Sequence, residues 1–149
     1  MNTSSAAQIV RCAKCGANNR VDPARLADGK AVCGQCKTSL SLDTHPLTVT
    51  DANFTAEVER SPLPVLLDLW AAWCGPCRII APVIEQLAVE FAGRARIGKL
   101  DVDANQATAA RFGIQSIPTL LIFKDGREVD RIVGAQSKEA LAARLNRFV

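Results

Sequence analysis

One histidine, His45, is the only imidazole in the chain. That excludes multi-histidine metal sites and argues against a Cys–His catalytic pair. No stretch approaches the roughly 20 uninterrupted apolar residues of a membrane-spanning helix. The most apolar run, Leu63 to Trp73, carries Asp68 in its middle. The N-terminal Met-Asn-Thr-Ser-Ser-Ala-Ala-Gln has no basic head and no apolar run after it. No secretory signal is therefore expected, and the expected compartment is the cytoplasm, where stable disulfides are rare. No glycine-rich nucleotide motif occurs, so no bound organic cofactor is expected. No internal repeat is visible beyond a recurring Cys-x2-Cys. With 149 residues, 48% of them hydrophobic and 22% charged, the chain has enough apolar material for a packed core, which excludes disordered and low-complexity classes.

The net charge of +3 is unevenly placed. Residues 1–45 hold six Lys+Arg against three Asp+Glu, and residues 46–149 hold twelve of each. Four metal-bound thiolates would bring the N-terminal excess down to about +1. Charge alone therefore gives no case for nucleic-acid binding, and neither nucleic acid nor membrane is expected as a partner.

Six cysteines fall into three pairs, Cys12/Cys15, Cys33/Cys36 and Cys74/Cys77. The first two pairs are 17 residues apart, the spacing of a four-cysteine zinc site. Two cysteines on a tight turn aim both sulfurs at one ion, and two such knuckles complete a tetrahedron. Gly16 supplies the positive φ that such a turn needs. Lys37 stands in the equivalent place of the second knuckle, so a different backbone is expected there. Between the knuckles the large apolar residues are only Val21, Leu26 and Val32. So short a piece needs a metal, worth on the order of 10 kcal/mol, to fold. Two disulfides or four free thiols are the alternatives. A full set of four ligands makes Zn2+ structural rather than catalytic. Thr38 to Pro46, polar and ending in proline, reads as a linker in which His45 is exposed. The expected domains are 1–45, zinc module and linker, and 46–149.

From Leu47 onward strands and helices alternate. Strands are expected at Leu47–Val49, Pro64–Trp70, Arg96–Asp101, Thr119–Lys124 and Glu128–Val133. Helices are expected at Asp51–Arg60, Pro76–Phe91 and Ala104–Phe112, with a last one capped by Ser137. In the second helix Ile79, Ile80, Val83, Ile84, Leu87, Ala88 and Phe91 recur at spacings of three and four. Asp125-Gly126 signals a hairpin. The expected class is α/β, a mixed central sheet flanked by helices, with the small four-cysteine module attached.

Trp73-Cys74-Gly75-Pro76-Cys77 joins a buried strand to an amphipathic helix. Cys74 falls at the helix N-terminus, where unpaired N–H groups and the helix dipole favour a thiolate. Pro76 suits the first turn. Cys77, one turn on, is close enough to form a disulfide and is expected to point further inward as the resolving thiol.

These residues, with Asp68 and Trp70 before them, Pro82 in the helix, Lys99, Ile117-Pro118-Thr119 and Gly134, resemble the thioredoxin family, and more closely its zinc-containing bacterial thioredoxin-2 type. The resemblance spans about Leu47 to Val149. Leu69 and Ala71-Ala72 depart from the usual residues without touching the chemistry. The resemblance implies the thioredoxin fold and a thiol-disulfide oxidoreductase, a protein-disulfide reductase working through Cys74 and Cys77. It implies that Asp68 moves a proton to or from Cys77, whereas on sequence alone Asp68 is either buried or a strand-edge accident. Pro118 is implied to be cis and the Ile117 backbone to pair with an incoming peptide. Trp73, Gly75, Pro76, Ile117, Pro118 and Gly134 would form the client surface. Trp70 supports the site by packing, and Lys99 is either a solvated lysine or a tuner of Asp68. The implied partners are an NADPH-dependent thioredoxin reductase and disulfide-containing client proteins, with a monomer as default. The alternatives are a zinc-linked redox sensor and a redox-regulated binding protein.

Overall fold

The computed structural model describes residues 8–27, 29–40 and 44–149. The reading of residues 1–7 as lacking a signal, and residues 41–43 of the linker, lie outside the described residues. The chain divides into two compact units, Met1–Asp43 and Thr44–Val149.

In the first unit, β1 (Gln8–Arg11) and β2 (Asn18–Val21) form an antiparallel pair, with Val10 opposite Asn19. The first knuckle is the connection between them. Helix α1 (Pro23–Ala27) follows, started by the Asp22 carboxylate, which accepts the Ala24 N–H at 2.9 Å. An isolated bridge, Val32 to Ser39, flanks the second knuckle. The small core gathers Val10, Cys12, Val21, Ala31, Cys33 and Leu40. Val32, one of the few large apolar residues between the knuckles, is 47% exposed. Its neighbours Ala31 and Cys33 point inward, and in an extended segment the residue between them must point out. Thr38 to Leu40, read from sequence as linker, belong to this unit: the Cys33 N–H donates to the Thr38 carbonyl and Leu40 is buried.

The knuckles share one backbone. Gly16 N–H donates to the Cys12 carbonyl and Lys37 N–H to the Cys33 carbonyl, each at 2.9 Å. Both residues are left-handed, Gly16 at φ +79° and Lys37 at φ +65°. The expected difference between the knuckles is therefore absent. The turn's hydrogen bonds impose the conformation on a lysine, against a steric preference of roughly 1–2 kcal/mol.

The second unit runs β3 (Leu47–Thr48), a π-helical turn (Thr55–Glu59), β4 (Val65–Trp70), α2 (Gly75–Glu90), β5 (Arg96–Asp101), α3 (Gln106–Arg111), β6 (Thr119–Lys124), β7 (Arg127–Val133) and α4 (Lys138–Asn146). The sheet order is β3-β5-β4-β6-β7. β3, β5 and β4 are parallel; β6 and β7 run antiparallel to their neighbours. Both faces of the sheet are covered, which is why β4 and β6 read as continuous apolar runs. Leu66, Leu120 and Ile122 pack on one side with Ile80, Ile84, Leu87, Phe91, Leu141 and Leu145. Val65, Leu67, Leu69, Leu121 and Phe123 pack on the other with Phe54 and Leu100. By strand alternation Asp68 shares its face with Leu66, toward α2.

Three elements differ from expectation. Asp51–Arg60 is not one helix. Asp51 is drawn away to cap α3, accepting Thr108 N–H at 2.9 Å and the Thr108 hydroxyl at 2.6 Å, and the Asn53 side chain binds Thr50 N–H and the Thr48 carbonyl. Only Thr55–Glu59 remains helical, with π geometry. Helix α3 is shorter than expected and ends before Gly113 at φ +63°. Ile79, counted on the apolar face of α2, is 72% exposed. Asp125 and Gly126 both have positive φ, the conformation expected of their hairpin turn. A Cβ on Gly126 would sit 2.9 Å from the Glu59 carbonyl oxygen, so the hairpin tip and the π-helical turn touch backbone to backbone. Among the described residues, no helix is long and apolar enough to cross a membrane.

Candidate active site and metal centre

β4 delivers the chain to the α2 N-terminus. Cys74 is the N-cap, extended at φ −85° and ψ 112°, and its Sγ accepts the Cys77 N–H at 3.2 Å. Pro76 occupies the first turn, where its missing N–H leaves no gap. Pro82 sits inside α2, which continues through it to Glu90. Cys74 and Cys77 form a disulfide with Cα atoms 5.3 Å apart. In this oxidised form burial does not separate them: Cys74 is 3% exposed and Cys77 4%. Beside them Trp73 is 68% exposed and Gly75 and Pro76 lie at the surface. The Trp73 indole N–H donates to Asp103 Oδ2 at 2.9 Å.

The peptide bond Ile117–Pro118 is cis. Pro118 is buried, Ile117 is half-buried, and the Ile117 carbonyl oxygen lies 3.7 Å from Cys74 Sγ. Gly134, at φ +94°, donates its N–H to the Pro118 carbonyl at 2.8 Å. Trp73, Gly75, Pro76, Ile117, Pro118 and Gly134 therefore come from three loops next to Cys74 or to one another.

Beneath the disulfide, Asp68 is 1% exposed and its Oδ1 has no hydrogen-bond partner. Burial raises its carboxyl from 3.8 to about 7, with the Lys99 charge opposing. Lys99 faces Asp68 across the β4–β5 pairing and places its ammonium 4.9 Å from the centre of the Trp70 ring. A cavity of ≈ 110 Å³ lies between Asp68, Cys77, Trp70 and Lys99. That volume accommodates water, which suits the orphaned carboxyl oxygen. Arg78 closes one wall, its Nη2 and Nε donating to the Ala72 carbonyl at 2.6 and 3.1 Å.

In the first unit the four sulfurs of Cys12, Cys15, Cys33 and Cys36 lie within 4.8 Å of one another. The close pairs cross between knuckles, Cys12 to Cys36 at 3.5 Å and Cys15 to Cys33 at 3.6 Å. A tetrahedral ion with sulfur bonds of 2.3 Å sets its sulfurs about 3.8 Å apart, so this donor set fits a metal ion. The Cys36 N–H, and more weakly the Gln35 N–H and the Asn19 amide, stabilise the Cys33 thiolate and bring its pKa down to about 6 despite burial. The Asn19 amide spans the two halves: its oxygen accepts Gly34 N–H at 2.9 Å, and its nitrogen donates to Ala17 O at 3.2 Å and Cys33 Sγ at 3.5 Å.

Asp103, Arg78 and Asn19 were not singled out from sequence. Their partners are 30, 6 and 15 residues away, and no local pattern announces such contacts.

The sequence model of the thioredoxin family matches residues 45–147. A thioredoxin of Haemophilus influenzae is 52% identical over 103 residues, which is 69% of this chain and 96% of that protein. Thioredoxins of Synechocystis sp. and Staphylococcus aureus are 48% and 54% identical over 101 residues, 68% of this chain and 94% and 95% of theirs. About a third of this chain therefore has no counterpart in these relatives. With the fold, the capped disulfide and this match together, the chain belongs to the thioredoxin family of thiol-disulfide oxidoreductases, and Cys74–Cys77 is its redox-active disulfide.

Proposed function

We propose that the chain is a cytoplasmic protein-disulfide reductase in which Cys74 is the attacking thiol, Cys77 the resolving thiol and Asp68 the group that moves the resolving proton. The observation that carries this reading is the position of Cys74 Sγ on the Cys77 N–H at the start of α2, directly beside the Ile117 carbonyl. In the reduced protein that N–H and the helix dipole favour Cys74 as thiolate. The thiolate attacks one sulfur of a client disulfide, forming a mixed disulfide and expelling one client thiolate. Cys77 gives its proton through cavity water to the Asp68 carboxylate and attacks Cys74 Sγ. The Cys74–Cys77 disulfide forms and the second client thiolate leaves, two electrons having passed to the client. A carboxyl near 7 both accepts and returns a proton at neutral pH.

Trp73, Gly75, Pro76, Ile117, Pro118 and Gly134 are the client contacts, with the Ile117 backbone pairing to an extended client segment. Trp70 and Lys99 support Asp68. The protein acts as a monomer and is recharged by an NADPH-dependent thioredoxin reductase. The four-cysteine module holds Zn2+ through Cys12, Cys15, Cys33 and Cys36. An all-thiolate tetrahedral set favours that ion and leaves no open position, so its role is structural. Neither membrane nor nucleic acid enters this function.

The test is NADPH oxidation with a bacterial thioredoxin reductase and insulin, wild type beside Cys74→Ser. Turnover that vanishes in the variant supports the reading, and no turnover by folded wild type refutes it.

A further inference from the structure

We infer that Thr119 is a positioning residue for client pairing: its hydroxyl closes the Ser116–Thr119 turn and holds the Ile117 backbone beside Cys74. Thr119 opens β6 and is 2% exposed. The next four residues, Leu120 to Phe123, are buried and apolar. A hydroxyl in such a strand is unfavourable unless it is partnered. Its partner is the turn itself, since Oγ1 donates to the Ser116 carbonyl at 2.6 Å, across Ile117 and Pro118. Pro118, the turn's third residue, has no N–H to offer, and the Ser116 carbonyl takes its hydrogen bond from the Thr119 side chain.

The anchor is rigid. Thr119 pairs with Leu69 on β4 and with Val133 on β7. β4 is also the strand that leads to Cys74, so the hydroxyl ties the turn to the element that places the nucleophile. From the other side the Gly134 N–H holds the Pro118 carbonyl at 2.8 Å. With both ends fixed, the Ile117 carbonyl is left 3.7 Å from Cys74 Sγ. A client segment then meets a preformed edge and does not have to order it on binding.

The inference rests on the reading that Ile117 pairs with the client backbone. The test uses the full-length reduced protein and two disulfides. One is a peptide with extended residues flanking its cystine; the other is 5,5′-dithiobis(2-nitrobenzoate), which has no peptide backbone. Thr119→Val removes the hydroxyl at nearly constant volume. It should slow reduction of the peptide between about twofold and tenfold, the effect of one neutral hydrogen bond, and leave the aromatic disulfide unaffected. Thr119→Ser, which keeps the donor, should restore the peptide rate. Thr119→Ala gives the same contrast should the valine variant fold poorly. Equal slowing of both substrates, no slowing of the peptide, or no recovery in the serine variant would overturn the inference. A failure of the underlying reading shows separately: wild type would then reduce a backbone N-methylated peptide as fast as the unmodified one.

Discussion

Replacing Asp68 with asparagine makes the buried carboxyl's ionisation measurable as stability. Asp68 is 1% exposed and binds its proton with a pKa near 7 in the folded chain, against 3.8 ordinarily. The folded state therefore holds more protons than the unfolded state between those values, and stability falls as pH rises through that window. At 1.36 kcal/mol per pKa unit the full penalty above pH 7 is about 4 kcal/mol. Asparagine keeps the shape and cannot ionise. The stability difference between variant and wild type should therefore grow by about 3 kcal/mol from pH 5 to pH 8 and then level off. Static changes in packing cancel in that slope. Urea unfolding of the disulfide form at several pH values measures it. Fluorescence isolates the relevant unit, because both tryptophans, Trp70 and Trp73, lie in it. A stability difference that is flat from pH 5 to pH 8 would mean that Asp68 ionises as an ordinary carboxylate. The proton transfer assigned to it would fall with that result.

Three further outcomes are expected. Cys77→Ser should accumulate a mixed disulfide with insulin, visible as an added mass that dithiothreitol removes, whereas Cys74→Ser should not. For the proposed zinc site, Asn19→Ala should weaken retention of added Zn2+ against a chromophoric chelator by about 10- to 100-fold, the usual effect of losing a group that orients a ligand, and should shift the charge-transfer band of the cobalt-substituted protein. Asp51→Ala should lower the thermal midpoint by uncapping α3, and Asp51→Asn should recover most of the loss. Hydrogen bonds from the Thr108 hydroxyl, then from the Thr108 backbone, hold the Asp51 carboxyl below its ordinary pKa. The wild-type advantage should therefore shrink as pH falls through that lowered value.

What was legible in the sequence is local. An apolar run marked β4, a three-four repeat marked α2, and Trp73 to Cys77 marked the junction between them. Asp68 stood out because a carboxylate inside such a run needs a reason. The remaining features depend on meetings of distant segments. Asp51 leaves its own segment to cap a helix more than fifty residues on, and this broke the expected helix at Asp51–Arg60. Trp73 is fixed by Asp103, from the loop after β5. Lys37 is the opposite case, in which the turn's own hydrogen bonds override the residue's conformational preference. Ile79 fits the repeat, yet the buried arc of α2 runs through Cys77, Ile80, Ile84 and Leu87 and leaves it outside.

β4 lies in the middle of the five-stranded sheet, with Val65 to Leu69 wholly buried and paired on both edges. Segments of that kind exchange their amide protons only when the whole unit opens. Asp68 is thus mounted on a central, buried strand, and that strand leads directly into the Cys74–Cys77 turn. On the proposed mechanism, the adjustment needed to bring two sulfurs into line falls mainly on the client. Under the proposed pairing with Ile117, a disulfide whose flanking chain can be drawn out into an extended segment should be reduced faster than one locked inside a rigid neighbourhood. On that proposal, selection among clients depends on the local pliability of the target as well as on its side chains.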